Sequence, residues 1–492
     1  MTGASESLTF EPVMSDPRPK EGGYAMALTA ILMIPLLALT AIGIDIGLWY
    51  VEAQQNQRVA DAASLAGVVW LPDEAKATQA AMDAVQRNGL HPGVDSSVSI
   101  TVLGESQLRV SVSTKSTLGF SGIFIDEFAI TRASVAEYNP PVALGSPENQ
   151  LGDPASGALW VAVSGRCSVR ENGDLRSAQW LAGYPGGIYP PAPCSGTANP
   201  DYDNEGYLYA VTIATNPGSP VQIQAYDAAY EPTSTSDLEL RPPSGFDTEF
   251  ILYDRGGAPF DLAAHTVLSD VVVADRAAGY ANAWRTIGTI NDPQPGTYYL
   301  RVRSTGGLND SFGSNGFALR AFGGVGFTSC STVSDANCIQ VSAVSDLSLY
   351  ASLSNGSSTF YLAEIGPENA GKQLEISLFD VGEGASSIEI LDPNGNPTTF
   401  DWTTDCAIGP TPLGGCSGTG NILDVSGAGN QIYADTMSTS RYNDRMVVAT
   451  IDLPSNYGSL YAGNWWQIRY TFGANITDRT TWSIKIVGDP VR

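Results

Sequence analysis

The sequence predicts a mainly β protein that begins with a transmembrane helix, followed by a small α+β membrane-proximal domain and two antiparallel, jelly-roll-like β-sandwich domains. Three observations support this fold class. An uncharged apolar run of 20 residues extends from Ala25 to Ile44. The spacing of apolar residues changes from helical to alternating after Asn88. A pattern of strand-like segments is repeated 153 residues further along the chain.

The apolar run is long enough to form a membrane-spanning helix. At about 1.5 Å per residue, it covers the roughly 30 Å hydrocarbon core of a bilayer. A cleaved signal usually has a shorter apolar region and a small-residue cleavage site. A buried core helix is not usually apolar on all its faces over this length. We predict an anchor over residues 24–50, marked by Ala25, Pro35, Ile44 and Asp45.

Charges and cysteines indicate how the anchor is oriented. Arg18 and Lys20 precede the run, whereas only Arg58 lies close after it, so residues 1–23 are expected to form a cytoplasmic tail. All six cysteines lie beyond the anchor, and oxidising compartments favour disulfides. Pairing of nearest neighbours keeps each disulfide within one region, but the sequence leaves the connectivity open. The disulfide candidates are Cys167, Cys194, Cys330, Cys338, Cys406 and Cys416.

Residues 51–138 predict helices packed on a small sheet. The anchor helix is expected to continue on an apolar stripe as far as Pro72, and a second helix follows it and ends near Gly89. Apolar residues then alternate on both sides of a turn at 104–106, which is typical of a β-hairpin. A further strand is predicted over 128–135.

Three N-terminal motifs occur together. They are Gly-Tyr-Ala-Met-Ala at 23–27, Gly-Ile-Asp-Ile-Gly at 43–47 and Ala-Asp-Ala-Ala-Ser-Leu-Ala at 60–66. This combination, with the strand Ile130–Ala136, resembles the TadE/TadG-like proteins of Flp (Tad) pilus assembly over about 120 residues. The resemblance implies a single-pass protein of the bacterial cytoplasmic membrane, whose C-terminal ectodomain lies in the periplasm or at the cell surface. It also implies that the chain acts in pilus assembly or surface secretion by contacting pilus or envelope proteins.

The chain departs from the pilins of such systems at one position. Pilins that are cut by a prepilin peptidase carry Glu five residues after the Gly at the cut. Here the fifth residue after Gly23 is Leu28, and Glu21 lies upstream. The resemblance therefore implies an assembly or accessory role and not that of a cleaved major subunit.

Residues 139–155 are rich in proline and glycine and are predicted to be a linker. The regions 156–325 and 326–492 beyond it are predicted to be duplicated β-sandwiches, because strand motifs recur in the same order. The segments that align at one offset are Tyr207–Ala210 with Phe360–Ala363, and Val221–Asp227 with Leu374–Asp380.

The first of these regions has a second resemblance. The segments Phe250–Gly257, Pro295–Val302 and Phe317–Leu319 resemble the bacterial pre-peptidase C-terminal domain, a small jelly-roll-like β-sandwich. This resemblance implies an exported accessory or binding module.

Composition narrows the classes of function. With 25 Lys and Arg against 51 Asp and Glu, the net charge is −26, which argues against nucleic acid as a partner. Neither His91 nor His265 has a G-x-S-x-G or similar nucleophile motif nearby. We therefore expect no enzymatic activity.

One loop offers candidate metal ligands. Asp201, Asp203 and Glu205 alternate in front of Gly206, and oxygen ligands of this kind suit calcium. The distal Glu of an EF-hand is missing, and an Asx turn is the alternative interpretation. Calcium is therefore a candidate ligand, and we expect no other cofactor.

The aromatic residues suggest an alternative function. Trp465 and Trp466 are neighbours in a predicted strand, so their side chains point to opposite faces. One is expected in the core, whereas the other could stack on a sugar or only cover a sheet edge. The alternative to pilus assembly is therefore a surface adhesin or glycan-binding protein with tandem β-sandwich domains.

Overall fold

In a computed structural model, the chain forms two compact units, Met1–Tyr138 and Asn139–Arg492. A long apolar helix begins the chain and antiparallel strands dominate the rest, which confirms the predicted fold class. The residues that the structure describes are 22–71, 74–94, 96–103, 107–116, 119, 122, 128–138, 142–180, 196–230, 246–256, 262–305, 313–324, 337–382, 385–407, 415–426 and 442–487.

In the described residues of the first unit, two helices pack with a three-stranded antiparallel sheet. In the sheet, the second strand lies between the first and the third. The first helix contacts the second and third strands and also the second helix. The elements are α1 (Gly22–Val68), α2 (Glu74–Arg87), β1 (Ser96–Val102), β2 (Gln107–Lys115) and β3 (Ala129–Glu137).

The core of the first unit is formed by apolar residues that alternate along β2 and recur at helical spacing along α1. Leu108, Val110 and Val112 alternate on β2 and are fully buried, as are Ala60 and Ala63 on α1. An alternating strand and a helical stripe each bury one face, and the two faces pack together.

Glycine shapes two positions in the helices of this unit. A Cβ on Gly67 would collide with the side chain of Leu108 and lie 2.7 Å from the carbonyl oxygen of Ala77, so α1 and α2 approach closely there. Gly89 lies just beyond α2 with φ +85°, the left-handed conformation that commonly ends a helix.

The second unit is built from antiparallel strands. Its first part contains β4 (Ala143–Gly145), β5 (Gln150–Leu151), β6 (Leu159–Ser164), β7 (Gln179–Trp180), β8 (Thr197–Ala198), β9 (Tyr207–Ile213), β10 (Val221–Tyr226), β11 (Asp247–Tyr253), β12 (Val267–Val273), β13 (Trp284–Ile290), β14 (Gly296–Thr305) and β15 (Ser314–Gly323). Its second part contains β16 (Cys338–Val344), β17 (Asp346–Glu364), β18 (Gln373–Phe379), β19 (Ala385–Leu391), β20 (Phe400–Thr404), β21 (Ser417–Gly420), β22 (Leu423–Asp424), β23 (Met446–Asp452), the short helix α3 (Tyr457–Leu460) and β24 (Trp465–Val487).

The two parts repeat one arrangement of strands. In the first, β14 lies between β9 and β11, and in the second, β24 lies between β17 and β19. The registers agree, since Phe250, the fourth residue of β11, is opposite Val302, and Ile388, the fourth residue of β19, is opposite Tyr470. Likewise β10 pairs with β13 and β15, while β18 pairs with β23 and the end of β24. The structure thus supports the duplication. The long strand β24 takes the places of both β14 and β15, since its first part pairs with β17 and β19 and its end pairs with β18.

The segment predicted as a linker is partly built into the fold. Its strand β4 pairs with β16 and β17, and β5 pairs with β15. Leu144 and Leu151 are buried there, and burial of their side chains outweighs the preference of the surrounding prolines and glycines for loops. Strands also pair across the predicted boundary at 325/326, because β16 lies beside β9. One continuous core therefore extends through both repeats.

Candidate functional site

The N-terminal part of α1 has an apolar surface on all sides. The helix is long and apolar enough to cross a membrane, and only 6% of its most apolar 18-residue stretch is buried within the protein. The hydroxyl groups of its two threonines bond within the helix, Thr29 to the carbonyl oxygen of Ala25 at 2.7 Å and Thr40 to that of Leu36 at 2.8 Å. Polar groups satisfied in this way suit an environment without water. Ala25, Pro35 and Ile44 all lie in this helix, as predicted for an anchor.

Asp45 marks the change from this apolar surface to a protein contact. Its neighbours Ile44 and Ile46 are about half exposed, whereas Asp45 is fully buried. Gly119 lies against its carboxylate so closely that a Cβ on that glycine would overlap Oδ1. The acidic residue that directly follows the apolar run is thus covered by the first unit itself, and it faces away from the surface available to lipid.

Side-chain hydrogen bonds attach the next turns of α1 to the sheet. Asn56 is buried and donates from Nδ2 to Thr114 Oγ1 and to the carbonyl oxygen of Ile130, both at 2.8 Å. Thr114 in turn donates to Glu52 Oε1 at 2.8 Å. These contacts fix the rotation of α1 on β2 and β3, because directional bonds specify a geometry that apolar packing alone does not.

In the second unit, arginines contact each of the three carboxylates predicted to bind calcium. Asp201 accepts from Arg170 at 2.6 Å, and Asp203 accepts from Arg176 at 2.7 Å. Glu205 pairs with Arg301, and its other oxygen lies 3.7 Å from Arg303.

The loop around these carboxylates has Asx-turn geometry, since Asp203 Oδ1 accepts the backbone N–H of Glu205 at 2.9 Å. A calcium ion would have to displace the arginines, and in the described ranges no group of three or more His, Cys, Asp or Glu side chains is placed to hold a metal ion. The calcium site stays a prediction without geometric support.

Arg170 forms the most buried of these ion pairs. It lies in the loop between β6 and β7, and its Nε donates at 2.7 Å to Asp444, whose side chain is fully buried in the second repeat. Trp180 Nε1 donates to the other oxygen of Asp444 at 2.9 Å. The guanidinium carbon also lies 5.0 Å from the centre of the Trp180 ring and 5.1 Å from that of Phe379. A loop of the first repeat is therefore bound to the core of the second.

Arg176 makes a second link between the repeats. Its Nε donates to Asp346 at 2.6 Å, at the start of β17. Burial raises the pKa of the Asp346 carboxyl, and the charge of Arg176 opposes this only in part. Burial, followed by the charge of Asp174, raises the pKa of Tyr207 well above its usual range. Arg176, Asp174 and Tyr207 line a cleft of about 30 Å³, which has room for a water molecule and is too small for an organic ligand.

The arginines and their partners could not be found from the sequence. Arg170 and Asp444 are separated by 274 residues, and neither lies in a motif. The alternating acids at 201–205 are the feature of this loop that the sequence shows, and they indicate calcium and not an ion pair with arginine.

The four cysteines in the described residues all form disulfides. Cys406 and Cys416 form a disulfide, as nearest-neighbour pairing expects. Cys167 and Cys338 are disulfide-bonded too, and their expected partners Cys194 and Cys330 lie outside the described residues.

The two histidines lie in different surroundings. His265 is buried, with Nδ1 2.6 Å from the carbonyl oxygen of Asp254 and its ring against Tyr299. His91 is an exposed residue in the turn after α2.

The paired tryptophans lie as their alternation predicts. Trp466 is fully buried and donates from Nε1 to Tyr457 Oη at 2.8 Å. Trp465 is half-buried and packs edge-on against Tyr361, with ring centroids 6.0 Å apart. Tyr361 is 37% exposed. Aromatic surface therefore remains accessible on this face of β17 and β24.

A family model matches the N-terminal segment of the chain. The family described as Putative Flp pilus-assembly TadE/G-like matches residues 23–84, which span most of α1 and α2. The N-terminal segment is therefore TadE/G-like, as its motifs indicated. No curated protein matches the chain significantly.

Solved structures show only distant likeness. The CBM22-1-CBM22-2 tandem domain of Paenibacillus barcinonensis Xyn10C is 11% identical, with 57% of this chain and 82% of that one covered and a TM-score of 0.13. Tripeptidyl peptidase 2 is 9% identical, with 79% and 30% covered and a TM-score of 0.16. The VP2 subviral particle of infectious bursal disease virus is 9% identical, with 72% and 83% covered and a TM-score of 0.08. Scores this low carry no argument about function.

Proposed function

We propose that this chain is a membrane-anchored component of Flp/Tad-type pilus assembly or of a related surface-secretion system, and that it acts by binding other proteins. The observation that carries the proposal is the TadE/G-like match at 23–84, which coincides with a helix suited to lipid at one end and bonded to a sheet at the other. The match covers the helices alone, so the role of the second unit rests on its own structure.

The proposed orientation places the second unit outside the cytoplasm. The disulfide between Cys406 and Cys416 supports this, because such bonds persist in oxidising compartments. The basic residues Arg18 and Lys20 before the anchor favour a cytoplasmic N-terminus. In a bacterial cell the second unit would then lie in the periplasm or at the surface.

We also propose a binding role and not a catalytic one. Two polar groups of the cleft are paired with carboxylates, Arg176 with Asp203 and Asp346 and Tyr207 with Asp174. Charges neutralised in this way rigidify a scaffold and are poorly placed to exchange protons with a substrate.

Purification of the tagged full chain from membranes of its native cells, after chemical cross-linking, tests the proposal. The expected result is enrichment of other Flp/Tad components, identified by mass spectrometry. A control chain in which residues 23–84 are replaced by an unrelated membrane-spanning helix should lose them. Absence of pilus-system proteins from the wild-type sample, under conditions that recover a known complex of the same membrane, would contradict the proposal.

A glycan-binding adhesin is the second candidate, and one observation favours it. The pair Tyr361 and Trp465 presents aromatic surface beside Gln467 and Arg469, and sugars bind by stacking on rings next to polar groups. A glycan array probed with the full chain in detergent would show binding that Tyr361→Ala removes. An array without signal would eliminate this candidate.

A further inference from the structure

Strand β12 lies at an edge of the sheet in the second unit. Its residues pair with β11 on one side, from Val273 opposite Thr248 to Val267 opposite Tyr253. No register with another strand is found for β12 among the strands that the structure describes. An edge strand of this kind leaves backbone donors and acceptors available to another chain.

The outward side chains of β12 are unusually apolar for an edge. Val267, Leu268 and Val272 are 50%, 42% and 53% exposed. The irregular register between Leu252 and Tyr253 leaves Leu268 without an opposite residue, which is why two consecutive apolar side chains are exposed. Beyond this bulge, Ser269–Val273 is regular. Alternate residues of this stretch therefore present free backbone groups at the edge, beside apolar surface.

One charge interrupts this apolar edge. Asp270 is exposed and lies opposite Ile251, an apolar residue of β11. Within the described residues its carboxylate has no ion pair or hydrogen bond. A single acid in the middle of an apolar edge strand selects between partners, because it must be matched by a positive charge or stay in water.

We propose that β12 is a docking strand for an extended segment of another protein, which pairs along Ser269–Val273 and presents a basic residue to Asp270 and an apolar residue to Val272. Backbone hydrogen bonds would supply affinity, and the two side-chain contacts would supply specificity. The charge match between Asp270 and a Lys or Arg defines this partner.

The same charge argues against a second copy of this chain as the occupant. An antiparallel pair of two β12 strands centred on Asp270 places the two carboxylates opposite each other. Registers shifted by two residues, which keep the same face outward, place Asp270 opposite Leu268 or Val272 instead. Like charges directly opposite each other are unfavourable, and neither shifted register places a positive charge against Asp270.

The inference goes beyond the proposed role in pilus assembly, because it concerns a contact that the second unit would make in any assembly. Its test therefore uses a cross-link and not piliation as the readout. If no cross-link forms, the docking strand is contradicted and the pilus proposal is unaffected. If a deletion strain has normal pili, the pilus proposal is contradicted, and a cross-link would then identify a partner outside pilus assembly.

Photo-cross-linking in the native cells tests the inference. The full chain carries p-benzoylphenylalanine in place of Val272, or in place of Leu460 as the matched control. Leu460 is 47% exposed and lies in α3, so a probe at this position measures the nonspecific cross-linking of an exposed apolar site. The expected result is an adduct at 272 and not at 460, whose cross-linked peptide has a basic residue two positions from an apolar one. Position 268 should give the same partner.

Variants of Asp270 decide whether the contact is the proposed one. Asp270→Asn should lower the adduct yield about threefold, and Asp270→Lys about tenfold or more. Because Asp270 is exposed, both variants should keep the thermal unfolding midpoint of the parent. The inference is overturned if 272 yields no more adduct than 460, if the adduct is a dimer of this chain, if its peptide has no basic residue, or if Asp270→Lys leaves the yield unchanged.

Discussion

Asp227 and Asp380 occupy equivalent positions in the two repeats and have the same unusual backbone. Each is fully buried at the end of a core strand, with φ +58° and +57°. Asp227 Oδ1 accepts the N–H of Asn282 at 2.7 Å, and Asp380 Oδ1 accepts the N–H of Asp444 at 2.8 Å. Asn282 and Asp444 are themselves left-handed, with φ +48° and +56°. The two repeats therefore share a buried corner and not only the order of their strands.

This corner predicts a large effect of Asp380→Ala. Removing the carboxylate leaves the buried N–H of Asp444 without its acceptor, and alanine is strained at positive φ. The second unit should lose about 2–4 kcal/mol of stability. Asp380→Asn keeps an acceptor and tolerates the left-handed conformation, so it should lose less than half of that. Urea midpoints of the full chain would measure both. Equal midpoints for wild type and Asp380→Ala would contradict the structural role.

A second prediction concerns the ion pair between the repeats. Arg170→Met removes the partner of the fully buried Asp444 carboxylate, which should cost about 3–5 kcal/mol. Arg469→Met is the matched control, because its side chain is 32% exposed and its bond to Glu389 is open to water. That variant should change stability by no more than about 1 kcal/mol. Similar midpoints for both variants would show that Arg170 does not bind the repeats together.

A third prediction concerns the contact between α1 and α2. Gly67→Ala places a methyl group against Leu108 and the backbone of Ala77 and should destabilise the first unit by about 1–3 kcal/mol. Gly47→Ala, in the same helix, meets nothing within 4 Å and should be tolerated. Thermal unfolding of the two variants in detergent measures the difference. An unchanged unfolding midpoint for Gly67→Ala would contradict the close approach of α1 and α2 at this glycine.

Buried tyrosines predict loss of stability in alkali. Burial raises the pKa of Tyr207, Tyr209 and Tyr470 well above the ordinary 10.0. Because the folded state keeps these protons while the unfolded state releases them, this contribution to stability is complete below pH 10.0 and is lost as the pH rises further. Tyrosinate absorbance, recorded with circular dichroism, should show the three groups ionising together with unfolding. Ionisation of all tyrosines in the folded protein would contradict their burial.

Local patterns predicted the first unit well. The alternation of Val98, Ile100 and Val102 and of Leu108, Val110 and Val112 places the hairpin at β1 and β2, since each pattern depends only on neighbouring residues. The apolar run predicted the first helix for the same reason. The apolar character of this helix depends only on its own side chains, so the sequence alone predicts that it suits a lipid environment.

Long-range relationships were not accessible in this way. Leu144 and Leu151 form strands inside a segment whose composition indicated a linker, because their partners in β16 and β15 lie far along the chain. The carboxylates of Asp201 and Asp203 indicated a cation, and the structure supplies the guanidinium groups of Arg170 and Arg176. Which positive charge meets a carboxylate depends on the fold, and a local sequence does not encode it.

The most direct test of the pilus role is to delete the coding sequence in the native cells and to count pili by electron microscopy. We expect the pili to be lost, and to be restored by the full chain but not by residues 1–138 alone. That result would place the assembly role in the second unit working from its membrane anchor. Normal pili in the deletion strain would contradict the account.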